Sequence, residues 1–416
     1  MTELPDGWTL VSLSDVASWG SGGTPQAGHA AFYGGDIPWA VIGDLNEATV
    51  VETRASITDA GLAASSAKLV PEGAVLLAMY GSIGKLGIAG RPMATNQAIA
   101  FALSNDRVLG KYLFYYLMSQ RHLLDAAGKG ATQRNISQTI LRPWPIPLPE
   151  GLDEQRWIVD ILEDHLSRLD AAASSVEAAD RRLIALRRST LNALFSGSDY
   201  HRVPLRDLVV GIKAGRSFGG SARPASDDEW GIIKVSAMTW GTFRANENKA
   251  ITSDRADARY EINKGDLLLS RANTTAYVGA SVLVGEVRPR LLLSDKSLRI
   301  LAAPDVELEW LWRALSAPDA RSQMSAAATG TKDSMRNISQ PALLNIELSA
   351  VPVADQKAAV ARSLEVETGI QRLTVDLEAA AVRGERLRHA LLGAAFSGRL
   401  TGRATDMGMV EEMAGV

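Results

Sequence analysis

The chain repeats itself at half its length. Arg134-Asn135-Ile136-Ser137-Gln138 returns 202 residues later as Arg336-Asn337-Ile338-Ser339-Gln340, and Leu194-Phe195-Ser196-Gly197 returns 201 residues later as Ala395-Phe396-Ser397-Gly398. A near-constant offset of about half of 416 residues means two copies of one large unit, not a short-period solenoid. Such a chain suits a reader of two related targets, or a pseudo-twofold surface offered to a symmetric partner.

Between the copies the pattern alternates. Residues 1–150 carry short apolar runs punctuated by glycine and proline, such as Gly34–Ile42 and Gly73–Met79, which predict strands. An apolar helix is expected over Leu109–Leu124, and Pro143, Pro145, Pro147 and Pro149 exclude a helix where the block closes. Residues 151–198 differ: from 153 to 195 there is neither glycine nor proline. Leu162, Leu169, Val176 and Leu183 recur at sevens, with Ala172, Ala179 and Leu186 three residues behind the last three. That is a heptad seam on a helix of about 40 residues, near 60 Å long. Residues 199–352 repeat the first block: Lys264-Gly265-Asp266-Leu267-Leu268-Leu269 echoes Glu72-Gly73-Ala74-Val75-Leu76-Leu77. Residues 353–403 repeat the second, with Ile370, Leu377 and Leu391 at the seven-residue step and Leu373 and Leu387 three residues on. Residues 404–416 are expected to be a disordered tail. The fold class is therefore α+β: two similar mixed α/β domains separated by two long helices. Their in-phase seams pair most simply as an antiparallel coiled coil, with a globule at each end.

Composition narrows the function. The chain has no cysteine, which removes disulfides, thiolate zinc sites and cysteine nucleophiles. No apolar run approaches a membrane span, no signal peptide is visible, and a cytoplasmic location is expected. The net charge of −3 does not advertise nucleic-acid binding, although residues 198–350 hold 20 Lys/Arg against 18 Asp/Glu, and residues 1–150 hold 10 against 12. Gly81-Ser82-Ile83-Gly84-Lys85 lacks the spacing of a phosphate loop, and no Gly-x-Gly-x-x-Gly follows a strand. The five histidines have no zinc-like spacing, so no metal site is expected. A stand-alone methyltransferase or nuclease is thus disfavoured, and a scaffold binding only proteins remains as the alternative to a DNA reader.

The binding candidates are glycine- and threonine-rich loops with cations. Lys129, Thr132, Gln133 and Arg134 lie in one such loop and Lys332 and Arg336 in its twin, where glycine would let a backbone approach a phosphate and the side chains donate to it. The competing structural role is a turn capped by Asn135 and Asn337. Arg271, Asn273 and Thr274 occupy a polar loop between apolar strands, with the side chains that read guanine and adenine in a major groove. Lys85, Lys213, Arg216 and Lys234 complete the DNA-binding set. Gly20–Pro25 and Gly215–Gly220 are expected as flexible, donor-rich loops.

Taken in order, Ser21-Gly22-Gly23-Thr24-Pro25, Gly34-Gly35-Asp36-Ile37-Pro38-Trp39, Ile42-Gly43-Asp44-Leu45, Met79–Lys85, Ala94-Thr95-Asn96-Gln97-Ala98, Gly130–Ser137 and the passage from Pro145 to Glu154-Gln155-Arg156 resemble the specificity subunits of type I restriction-modification systems, the HsdS family. The resemblance spans about residues 8–400. It implies two target-recognition domains, each reading half of a bipartite asymmetric site in double-stranded DNA, and a helical rod that fixes the spacer. It also implies two methylation subunits that bind S-adenosylmethionine, and motor-nuclease subunits that use ATP and Mg²⁺. This chain itself would bind no cofactor. The second helix entry, Pro352-Val353-Ala354-Asp355-Gln356, departs from the pattern by lacking the proline repeats of the first.

Overall fold

The computed structural model describes residues 4–129, 134–197, 200–219, 221, 223–239, 241–330, 333, 335–400 and 406–415. The chain forms two compact units: Met1–Glu177 with Glu378–Val416, and Ala178–Leu377. The long helices are Leu152–Phe195 and Val353–Phe396. Blocks of sequence and compact bodies therefore differ, because each unit takes one globule, the start of one long helix and the end of the other.

In the first unit a five-stranded sheet carries the core. Ala17–Ser21 pairs antiparallel with Ile99–Ser104, which pairs with Val75–Ala78, which pairs with Leu86–Ala89; Thr49–Val50 closes the edge in parallel. The second unit repeats that order with Val209–Ala214, Ser297–Ala302, Leu267–Ser270 and Ser281–Leu283. The middle strands, Val75–Ala78 and Leu267–Ser270, are buried throughout, which is why they read as unbroken apolar runs. The expected helix after the sheet divides at Gln120 into Gly110–Ser119 and Arg121–Ala127.

The proline repeat is an edge strand. Pro145–Pro149 pairs antiparallel with Trp8–Ser12, matching Pro145, Pro147 and Pro149 to Ser12, Leu10 and Trp8. Proline at every second position removes the N–H groups that would point away from the partner strand. The outward carbonyls are satisfied by tyrosines of Gly110–Ser119: the Tyr112 hydroxyl donates to Pro147 O at 2.9 Å, and Tyr116 donates to Pro145 O. Burial pushes both phenols well above their ordinary pKa, so they stay protonated donors. The second unit needs only a three-residue version, Arg202–Pro204 with Glu347–Ser349.

Both long helices begin with the same anchor. Gln155 Oε1 accepts the Leu109 N–H at 2.9 Å and its Nε2 donates to Arg107 O at 2.9 Å. Gln356 Oε1 accepts the Glu307 N–H at 2.7 Å and its Nε2 donates to Val351 O at 2.7 Å. Each glutamine is buried and binds the backbone that opens the globule's own helix, Gly110–Ser119 or Leu308–Ser316. The missing proline repeat leaves the second helix entry unaffected, since Gln356 sets it.

Both helices also end alike, but in the unit where they did not begin. Phe396 packs edge-on against Tyr112 and Tyr116 of the first unit, with ring centroids 5.1 and 5.3 Å apart. Phe195 is buried in the core of the second unit with Trp310, Leu311 and Ile338. Asp170 pairs with Arg388 in the first unit and Arg187 with Glu367 in the second, so the helices run antiparallel.

Of the seam residues, Leu162 and Leu391 are buried, while Leu169, Val176, Leu183, Ile370, Leu377 and Leu387 are half-buried. Leu186 and Leu373 are not in the seam: they are 48% and 50% exposed. Along the second helix Thr374, four residues behind Ile370, is half-buried where Leu373 is exposed, while towards the end Leu387 and Ala394 keep the three-residue step and are covered. The expected disordered tail is also corrected. Asp406–Ala414 is a helix that places Val410, fully buried, and Met407 on the core around Leu169 and Leu387.

Gln155→Ala or Gln356→Ala strands one shielded N–H and one C=O, at a cost of about 1–3 kcal/mol. The expected result is a lower urea midpoint and faster amide exchange at Leu109 or Glu307 respectively. An unchanged midpoint with unchanged exchange would show that the helix entries hold without the glutamines.

Candidate nucleic-acid interface

The repeated Arg-Asn-Ile-Ser-Gln segment builds a clasp in each unit. In the first, Lys129 and Asn135 exchange two backbone hydrogen bonds of 2.8 Å and close a loop at its base. The far side of this segment grips the turn after the central strand: the Ile136 N–H donates to Met79 O at 2.9 Å, the Gly81 N–H to Arg134 O at 3.3 Å, and Tyr80 bridges Asn135. In the second unit Thr329 and Asn337 close the loop with bonds of 2.9 and 2.8 Å, and the Ile338 N–H donates to Arg271 O at 2.9 Å. There the grip extends to a short ladder, Ala272–Asn273 with Arg336–Asn337. Ile136 and Ile338 are buried plugs. Ser137 and Ser339 are the N-caps of the short helices Gln138–Leu141 and Gln340–Leu344, and Ser339 Oγ accepts the Ala342 N–H at 3.2 Å.

Arg134 and Arg336 serve the frame. Arg134 Nη2 donates to Ala126 O at 3.3 Å and Nη1 lies 3.4 Å from Asp125 Oδ2. Arg336 donates to Ala328 O, and at 3.1 Å to Gly330 O. Ala126 and Ala328 stand at the C-terminal ends of Arg121–Ala127 and Pro318–Ala327, where a guanidinium satisfies orphan carbonyls and suits the helix dipole.

The remaining cations differ in how they are held. Lys129 is exposed, and Lys85 is half-buried in the gripped turn. Thr132, Gln133 and Lys332 lie outside the described residues. In the second clasp Arg271 Nε reaches Asn337 Oδ1 at 3.4 Å, Asn273 Oδ1 accepts the Thr274 N–H at 2.9 Å, and Thr275 Oγ1 lies 3.3 Å from Asp333 Oδ1. The structure thus brings Arg271, Asn273, Thr274 and Arg336 together. Lys213 and Arg216 form a separate group. Lys213 lines a cleft with Arg259 and Arg299, and Arg216 sits 5.9 Å from the centroid of the Phe218 ring. The Arg259 guanidinium holds the neighbouring Asp257 carboxyl below its usual range. Lys234 stands apart, with Nζ 3.8 Å from Glu247 Oε2, so its charge is already matched.

The glycine loops are closely packed at Gly22, Gly23 and Gly215. A Cβ on Gly22 would collide with the Thr95 carbonyl, and one on Gly215 with the carbonyls of Leu293 and Ser294. Sequence reasoning missed Tyr80 and Tyr277, aromatic side chains 39% and 40% exposed in the two clasps, where a base could stack. Their signal was present in the sequence: each follows a buried strand by a few residues, in a loop otherwise polar.

Residues 5–175, which include the first clasp and the entry to the first long helix, match the family model described as the type I restriction modification DNA specificity domain. The EcoKI specificity subunit of Escherichia coli K12 is 22% identical over 96% of this chain and 90% of its own length. Over these stretches the chain is similar to type I specificity subunits. The EcoEI specificity subunit of Escherichia coli is 28% identical over 46% of this chain, and the MjaIX specificity subunit of Methanocaldococcus jannaschii 29% over 37%. The alignments span only 33% and 37% of those two relatives. In fold, the HsdS subunit from Thermoanaerobacter tengcongensis superimposes with a TM-score of 0.58 at 17% identity, covering 96% of this chain and 98% of that one. A chain from a structure of a type I R-M system gives 0.77 at 18% identity, covering 96% and 100%. Two sheet-rich domains with two long helices are thus the architecture of type I specificity subunits.

Arg336→Ala is expected to lower stability by about 1–3 kcal/mol, since it leaves shielded carbonyls unpaired. It should leave the salt dependence of DNA binding unchanged. Lys129→Ala should do the opposite, lowering the slope of log K against log salt by about one at constant stability. Urea unfolding and a salt titration of DNA affinity separate the two. A reduced slope for Arg336→Ala at unchanged stability would return that arginine to the phosphate-contact set.

Proposed function

We propose that this chain is the non-catalytic DNA-reading subunit of a type I restriction-modification complex. Each unit reads one half of a bipartite, asymmetric site in double-stranded DNA, and the paired helices fix the spacer. Two methylation subunits, which hold S-adenosylmethionine, and motor-nuclease subunits, which use ATP and Mg²⁺, assemble on it in the cytoplasm. One observation carries this reading: the same clasp is built twice on matching sheets, yet the side chains it presents differ. Lys129, Tyr80 and Lys85 mark the first, and Arg271, Asn273, Thr274 and Tyr277 the second. A constant frame with changed tips is what two different half-sites require, because phosphate contacts position a reader and base contacts specify.

Methylome sequencing of a host expressing this chain with its methylation subunit, against a deletion of this chain, tests the proposal. A bipartite methylated motif that disappears on deletion is expected. An unchanged methylome with both proteins expressed, and no footprint of the purified assembly on DNA, would leave a protein-only scaffold. Arg271→Ala should relax one base position of one half-site by about 1–3 kcal/mol, visible as a degenerate base in the motif. Uniform loss across all sequences would move Arg271 to the backbone.

A further inference from the structure

Each unit has a cleft bounded by its clasp, by the helices that follow the central sheet and by the last turns of a long helix. In the second unit it is lined by Ala276 of the clasp loop, Arg321 of Pro318–Ala327, and Ile184, Arg187, Arg188 and Leu191 of the first long helix. In the first unit it is lined by Ile83 of the gripped turn, Arg121, and Glu385, Arg388, His389 and Leu392 of the second long helix. The last four stand 201 residues after Ile184, Arg187, Arg188 and Leu191, so the clefts occupy equivalent places on the repeated frame.

Their chemistry is opposite. The charged residues lining the second cleft are Arg187, Arg188 and Arg321, with no carboxylate among them; among the described residues Arg187 alone of the three has an acidic neighbour, Glu367 at 3.8 Å, outside the lining. In the first cleft Glu47, Asp125, Asp170, Glu177 and Glu385 outnumber Arg121 and Arg388, and those two arginines are already paired with Glu47 and Asp170. Arg321 Nη2 donates to Ala276 O at 3.0 Å, while its Nη1 is buried without a hydrogen-bond partner among the described residues. Burial lowers the Arg321 pKa to about 10, which leaves it cationic at neutral pH and short of an acceptor. Ile184 is 63% exposed at the second cleft, where the first has Glu385.

An exposed aliphatic beside Arg188 and Arg321 fits an acidic helix or strand with an apolar face better than a phosphate, which has no use for the isoleucine. Were both clefts phosphate sites, the carboxylates of the first would repel the DNA that its own clasp reads. We propose that the cleft of the second unit docks an acidic, apolar-faced segment of the methylation subunit, and that the equivalent cleft of the first unit disfavours that same segment. Two identical copies then load with unequal affinity. This rests on the functional reading above, in which two methylation subunits assemble on one chain.

Native mass spectrometry of the full chain titrated with its purified methylation subunit tests it. Two binding steps at least about tenfold apart are expected, the tighter one weakening with salt. Arg188→Glu, on an exposed position, should weaken the tight step about tenfold and leave the other unchanged. Glu385→Arg should strengthen the weak step. Two equal steps, or an Arg188→Glu effect on both steps or neither, would overturn the inference while leaving the functional reading intact. A lowered salt slope for DNA with assembly unchanged would assign the arginines to phosphate and likewise overturn it. A parent chain that binds no copy at all would overturn the functional reading and this inference together.

Discussion

The structure depends on two cores, each completed by the end of a long helix that begins in the other unit. Neither globule is completed by its own contiguous stretch of chain: Phe396 fills the space between Tyr112 and Tyr116, and Phe195 is buried with Trp310 in the other unit. An aromatic side chain buried this fully contributes a few kcal/mol, so each unit gains a large part of its stability from the end of a helix that began elsewhere. The long helices are therefore structural members of both units. Their length is held at each start by a buried glutamine and at each end by a buried phenylalanine.

That arrangement explains why so little of the seam needs to be buried. In a two-helix pair the outer flanks face solvent, and residues such as Leu186 and Leu373 remain half exposed. Register comes instead from the ends and from ion pairs such as Asp170 with Arg388. Exposed pairs of this kind contribute little net energy, but they are sensitive to sliding, which matters if the helices set the distance between two DNA half-sites.

The clasps divide labour between frame and tip. Asn135 and Asn337 close each loop through backbone groups, Ile136 and Ile338 plug the core, and Arg134 and Arg336 tie the loop to a helix end. This leaves the tips free to vary. The repeated motif, whose arginines were expected at phosphates, forms the post on which the differing loop tips are mounted. The opposite charges of the two equivalent clefts follow the same logic: positions 385 and 184 occupy one place in the frame and carry Glu in one unit and Ile in the other.

The sequence by itself determined the duplication, the two long helices and the α+β class, because a half-length offset, a seven-residue apolar step and buried apolar runs are local signals that survive without contacts. It also contained Gln155 and Gln356 at matching places, though nothing local revealed that their amides would bind the backbone of the globule helices. The roles of Arg134 and Arg336, the exposure of Leu186 and the helix at Asp406–Ala414 were decided only by tertiary structure. An arginine's partner, a leucine's cover and a short amphipathic tail's docking face are all set by residues distant in the chain, and the physical reason is the same in each case: the free energy comes from burial and hydrogen bonding across elements, which no window of sequence contains.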